Sequence, residues 1–255
     1  MFTFFTCKKD AYKFSDKEKA LLLMILEFFK YEIPNGNGSY LAMLELDKID
    51  FYWSPYMSIE DNGIFGSWLL SSPNCIYVKP NQYDTRVKDI LMKKKSLSAK
   101  EKEWLKIYEE GAISHLPIFK DLELDQDLLK FVIYLVEADG LILSTVFHEL
   151  YHKWQCSTSK FLYIVNLVVF MLLGYEFSTK NKYSIEGDVR IYVDNETLHK
   201  TIGKFYSIFY SWLYLSNRMI AKLEEKESLL EQLEQLKQED YRNFKFVELL
   251  VRSLK

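Results

Sequence analysis

His148-Glu149-Leu150-Tyr151-His152 is the stretch of this chain whose residue types and spacing could do chemistry. On an α-helix, residues four apart stack on one face, so the two imidazoles point the same way. Two ring nitrogens offered from one face suit a single metal ion. Glu149 follows His148 directly and so lies about 100° round the helix from it. From there a carboxylate reaches a metal-bound water without ligating the metal. Zn²⁺ in such a site acidifies the water, and the neighbouring carboxylate takes its proton. The chain has four histidines, at 115, 148, 152 and 199, and half of them belong to this motif.

A catalytic zinc usually takes three protein ligands plus water. The short H-x-x-G-x-x-H continuation of the metzincins is absent, because Lys153-Trp-Gln-Cys156-Ser-Thr-Ser-Lys160 follows His152. The third ligand is therefore expected further along the chain, more readily a carboxylate than His199 or His115. Glu186 and Asp188 are two of the carboxylates that follow. If their segment is helical they point about 200° apart and only one faces the metal. If it is a strand they share a face, and Asp188 can support the ligands from behind.

His148-Glu-Leu-Tyr-His152-Lys-Trp-Gln155, an apolar stretch, and then Ile185-Glu-Gly-Asp188-Val resemble the minimal gluzincin zinc metallopeptidases of bacterial or phage type. The resemblance covers Ser144 to Asp188 and departs from the family at Gly187, where a helix former is usual. It implies Glu186 as third ligand, 34 residues after His152. It also implies Glu149 as the general base, and a zincin-like antiparallel sheet ahead of the motif helix. An edge strand of that sheet, Ile64 to Leu70 or Cys75 to Val78, would bind an extended peptide by main-chain pairing. Tyr183, Tyr192 and His199 are chemically able to stabilise an oxyanion. Trp154 reads as core, and Gln155 as a holder of a neighbouring loop. The function implied is zinc-dependent hydrolysis of a peptide or protein substrate. The alternative is an inactive metal-binding or membrane-apposed interaction protein on the same scaffold.

The elements that must position these residues read as helix-rich α+β. Ser15-Asp-Lys-Glu18 and Ser98-Ala-Lys-Glu101 have capping-box form. A helix is expected from Asp16 to Tyr31, closed by the turn cluster Pro34 to Gly38. Tyr40 to Val78 reads as short strands, with a hairpin turning at Ser71-Ser-Pro-Asn74. Helices follow over 84–113 and 125–137, the latter ending near Gly140. Ser144 or Thr145 is expected to cap the motif helix. Tyr183 to Asn195 fits strand or helix, and everything after Thr197 fits helix. The leucines of 219–239 span too few heptads for a sustained coiled coil and read as an amphipathic helix. Residues 1–198 are expected to form the zincin-like domain and 199–255 a helical extension packing on or extending from it.

The bulk numbers narrow the class. The chain has 255 residues, 49% apolar and 27% charged, with net charge −3. That is globular composition, with no overall attraction for nucleic acid. Three cysteines without a C-x-x-C spacing suit a reducing compartment, and any metal is then held by imidazole and carboxylate. The N-terminus lacks signal-peptide order, so a cytoplasmic location is expected. No residue of 161–175 is charged. A bilayer span takes about 20 apolar residues, so this run is expected as a buried core helix, with membrane contact as the less favoured alternative.

Overall fold

The computed structural model describes residues 8–33, 38–59, 65–80, 85–109, 122–173, 180, 184–194, 196–216 and 223–255. Strand β1 (Tyr12–Lys13) leads into helix α1 (Asp16–Phe29), a short 3-10 turn (Lys30–Glu32) and helix α2 (Ser39–Met43). The capping box at Ser15 is complete: its hydroxyl accepts from Glu18 N–H, and the Glu18 carboxylate accepts from Ser15 N–H. Strand β2 (Asp50–Trp53), helix α3 (Pro55–Ile59), strand β3 (Gly66–Leu69) and strand β4 (Ser72–Val78) complete the sheet. The hairpin is present, but it turns at Leu70-Ser71, and Pro73 and Asn74 lie inside β4. A register shift beside Leu69 makes room for that proline.

The sheet order is β1-β2-β4-β3. The sheet is mixed rather than antiparallel, because β4 inserts between β2 and β3 and runs parallel to β2. The tight hairpin sets β3 antiparallel to β4, and β4 in turn pairs in parallel with β2. Of the two segments expected at an edge, β3 is the edge strand and β4 is internal. One face of the sheet carries Phe51, Trp53, Ile76 and Val78 into the core.

Helices α4 (Thr85–Met92) and α5 (Ala99–Glu109) pack Val87 and Leu91 against Leu97, Trp104 and Leu105 in a small separate cluster. The second capping box also closes, between Ser98 and Glu101. Helix α6 (Gln126–Thr158) is the central element, 33 residues long and capped by Asp125, whose carboxylate accepts from Asp127 and Leu128 N–H. Leu129, Val132, Leu135, Val136, Leu143, Val146, Phe147 and Leu150 are fully buried along it. A helix apolar on this much of its circumference must be surrounded by other elements.

The break expected near Gly140 is a distortion within one helix. Ala138 and Gly140 have φ of 51° and 74°, with helix on both sides. Ser144 and Thr145 therefore cap nothing; both hydroxyls donate back to the Leu141 carbonyl. A Cβ on Gly140 would lie 2.3 Å from Ile202 Cγ2. Gly140→Ala thus combines left-handed strain of about 1–2 kcal/mol with overpacking of about 1–3 kcal/mol. The urea midpoint is expected to fall at unchanged m-value; an unaltered midpoint would show that the helix re-forms there without cost.

Helix α7 (Lys160–Leu173) starts directly after Ser159 ends α6. It corrects the expectation of a buried core helix. Among its described side chains only Tyr163 is buried, while Phe161 and Leu172 are 75% and 77% exposed. Tyr163 joins the main core, and Leu167 packs against it. Asn166 donates to its own Leu162 carbonyl. Among the described residues no helix is long and apolar enough to cross a membrane.

The segment that fitted strand or helix is helix α8 (Ile185–Tyr192), capped by the Ser184 hydroxyl on Gly187 N–H. Helices α9 (Glu196–Ser216), α10 (Leu223–Glu239) and α11 (Tyr241–Ser253) follow. Helix α9 lays Leu198, Ile202, Phe205, Phe209 and Leu213 into the same core as α6. Helix α11 closes that core with Phe246, Val247 and Leu250, and Leu254 O accepts from Asp125 N–H at the start of α6. Leu233 and Leu236 of α10 pack on the core and Leu230 is exposed, as in an amphipathic helix.

Candidate metal centre

The centre lies where the C-terminal third of α6 meets α8. His148, Glu149 and His152 all fall on α6, and Glu186 is the second residue of α8. Phe147 and Leu150, buried on the other side of the helix, fix its rotation. Tyr40 strengthens the hold by donating to the Phe147 carbonyl (3.0 Å).

His148 Nε2, His152 Nε2 and a Glu186 carboxylate oxygen converge within 4.8 Å of one another. The two Nε2 atoms are 2.9 Å apart, and Glu186 stands 3.5 Å from His148 and 3.4 Å from His152. Both rings are held from behind. His148 Nδ1 is 3.0 Å from Asp194 Oδ2, and His152 Nδ1 is 2.9 Å from Gln155 Oε1. Each Nδ1 faces an acceptor and therefore carries the hydrogen, which leaves both Nε2 lone pairs facing one another. Two lone pairs at that distance repel unless a cation or a proton lies between them.

These residues fit a metal ion. Tetrahedral ligands at about 2.0–2.2 Å from a metal stand about 3.3–3.6 Å from each other. The two histidine–glutamate distances match, and the histidine pair needs to open by a few tenths of an ångström. Burial works against a charge on His148, yet its hydrogen bonds to Asp194 and Glu186 outweigh this and hold it well above the ordinary imidazole value. Burial likewise works against the Glu186 carboxylate, and the two histidines bring it well below the usual carboxylate range. Without a metal, the same contacts favour a proton on His148 and a charge on Glu186.

Glu149 lies beside this triangle and is anchored to β3. Its Oε2 accepts from Trp68 N–H at 2.7 Å. Gly66 permits this approach, since a Cβ there would lie 2.5 Å from Thr145 Cγ2 and 3.1 Å from Glu149 Cγ. Burial pushes the Glu149 carboxyl up, with the two histidines pulling the other way.

Asp188 is not among the converging ligand atoms. It lies two residues beyond Glu186 on α8 and closes on Gln155 and Tyr151 of α6. There it accepts from Gln155 Nε2 (2.8 Å) and Tyr151 OH (3.1 Å). His199 lies on α9 and is not one of the three converging groups either. Tyr192 ends α8 near Tyr151, and Tyr183 and His115 lie outside the described residues. Trp154 packs on the core but is partly exposed, and its ring nitrogen contacts Met43 Sδ.

Three groups at the site escaped the sequence reading. Asp194 follows the end of α8 and has no motif. Trp68 acts through its backbone N–H, which no residue type announces. Tyr163 stood inside an apolar run and read as core. Its ring packs edge-on to Trp68 (5.3 Å) and 6.3 Å from the His152 ring. Burial, and then the nearby Glu149 and Glu186 carboxylates, push its phenol up, so it stays protonated and able to donate.

No family model, curated protein or solved structure matches this chain.

Proposed function

We propose that the protein is a zinc-dependent metallohydrolase of the peptidase kind, with His148, His152 and Glu186 holding the metal and Glu149 serving as general base. The observation that carries this reading is the convergence of three ligand atoms beside a separate buried carboxylate. Two imidazoles and one carboxylate are a common catalytic zinc set, which leaves one position for water. Bound zinc would acidify that water and polarise the scissile carbonyl.

The chain's own residues do the rest. Trp68 N–H fixes one oxygen of Glu149 and leaves the other free to take the proton. Burial of Glu149 raises its proton affinity, as a base acting near neutral pH requires. Glu149 then hands the proton to the leaving amine. Tyr163, held protonated and packed beside the His152 ring, is the group we assign to stabilise the developing oxyanion. The test is metal analysis of the purified protein, followed by cleavage of a peptide library with and without added zinc. Failure to bind stoichiometric metal at micromolar zinc overturns the metal centre; stoichiometric metal without cleavage overturns the activity.

Metal binding is expected to depend on pH. The metal-free centre holds a proton on His148 to a higher pH than an ordinary histidine. Binding must expel that proton, so apparent affinity rises with pH until His148 deprotonates by itself. Calorimetry in two buffers of different ionisation enthalpy is expected to show net proton release at neutral pH. Equal heats in both would contradict this.

A further inference from the structure

We propose that Gln155 and Asp188 form a polarity relay that sets the tautomer of His152 and couples it to the helix carrying Glu186. The inference rests on the metal-centre reading and assigns roles to two residues outside the ligand set. Gln155 stands three residues after His152, on the same face of α6. Its side chain spans from that helix to α8. Its Nε2 donates to Asp188 Oδ2 (2.8 Å) and to the Ile185 carbonyl (3.2 Å). Both partners are acceptors, so the amide end that faces them must be the NH₂. The carbonyl end is then the one that faces His152, 2.9 Å from Nδ1. A carbonyl oxygen there demands a hydrogen on Nδ1 and leaves Nε2 bare on the metal side.

The chain of demands starts at Asp188. Its carboxylate also accepts from Tyr151 OH, so Tyr151 and Gln155 of α6 both close on one residue of α8. Ile185, whose carbonyl takes the second Gln155 hydrogen, is the residue before Glu186. The two hydrogen bonds that fix the Gln155 amide therefore also dock the helix of Glu186, with the Tyr151–Asp188 bond as a further tie. His148 is supported differently, by the Asp194 carboxylate directly. One imidazole is thus backed by a charge and the other by an amide whose direction a distant carboxylate dictates. Gln155 and Asp188 are positioning residues that act through His152 and Glu186.

A reversal of polarity tests this. Gln155→Glu keeps the acceptor for His152 but sets a carboxylate against Asp188 and removes both donated hydrogens. What is lost is the tie between His152's support and the helix of Glu186, and disrupting such a supporting contact weakens metal binding by about 10–100-fold. Adding Asp188→Asn returns a donor to the pair, and the double variant is expected to recover most of the lost affinity. Zn²⁺ affinity is read by competition with a chromophoric chelator, with circular dichroism as the check on folding. In the unaltered metal-free protein, ¹⁵N–¹H correlation of the His152 ring is expected to show Nδ1 protonated. Wild-type affinity in Gln155→Glu, no recovery in the double variant, or an Nε2–H tautomer overturns the relay. If the unaltered protein binds no zinc, the metal-centre reading itself fails; the tautomer measurement still decides the relay.

Discussion

Glu149→Gln is expected to leave metal content unchanged and to lower peptide hydrolysis by about 10²–10⁴-fold, the usual contribution of a positioned general base. The change is isosteric. The amide oxygen can still accept from Trp68 N–H, so the 2.7 Å contact with β3 survives. Glu149 is not one of the three converging ligand groups, so the metal should stay. What disappears is basicity alone. Stability should move the other way. Glu149 has a raised proton affinity in the folded protein because burial penalises its charge. A group with folded pKa above its unfolded value takes up a proton on folding, and its ionised form costs stability as pH rises. Glutamine removes that cost, so at neutral pH the variant is expected to melt no lower than the parent. Higher stability with lost turnover is the pattern of a functional group that the fold tolerates at a cost. Full activity in Glu149→Gln refutes its role, and a lost metal would show that the carboxylate supports the ligands.

The histidine pair and its glutamate were legible because a helix makes the i, i+4 relation a local fact. Nothing beyond the backbone period is needed to place His148, Glu149 and His152. Glu186 needed the resemblance, since its approach depends on how α8 docks. Gly187 hinted that the segment was irregular, yet Ser184 caps it and it stays helical. The choice between helix and strand decided where Asp188 points, but in neither form did spacing reveal Gln155 as the link to His152. Asp194 and the Trp68 N–H were invisible for a different reason: each meets the site from across the fold, by long-range packing. The capping boxes at Ser15 and Ser98 were local and came through intact. The sheet did not, because the order of strands is set by which of them hairpins outside its neighbour. Helix α7 misled for a physical reason as well. Apolar composition says that a segment avoids water, while burial depends on whether the rest of the chain covers it. Only the Tyr163 side of α7 is covered among its described side chains.

Glu186→Ala is expected to be the most damaging change to metal binding after loss of a histidine. The carboxylate stands 3.5 and 3.4 Å from the two Nε2 atoms and supplies the one negative charge among the three converging groups. Losing a mere supporting partner weakens binding by about 10–100-fold, so losing the anionic ligand should exceed that range. The rivals separate cleanly by the same measurement. Asp188→Ala keeps all three ligand atoms and should fall within the supporting-partner range, and His199→Ala should leave metal content unchanged. If either of those variants loses metal while Glu186→Ala keeps it, the assignment is reversed. The metal-free protein gives an independent readout. Glu186 is held well below the usual carboxylate range in the folded state by the two histidines. A group with depressed folded pKa contributes stability above its unfolded value, and that contribution fades as pH falls toward the folded one. The parent should therefore lose stability on acidification below the ordinary carboxylate range, and Glu186→Ala should lack that component of the slope. His148 would at the same time lose one of the two hydrogen bonds that favour its proton, since Asp194 alone remains. Its titration should shift to lower pH in the variant, which ties Glu186 to the histidine pair without any metal present.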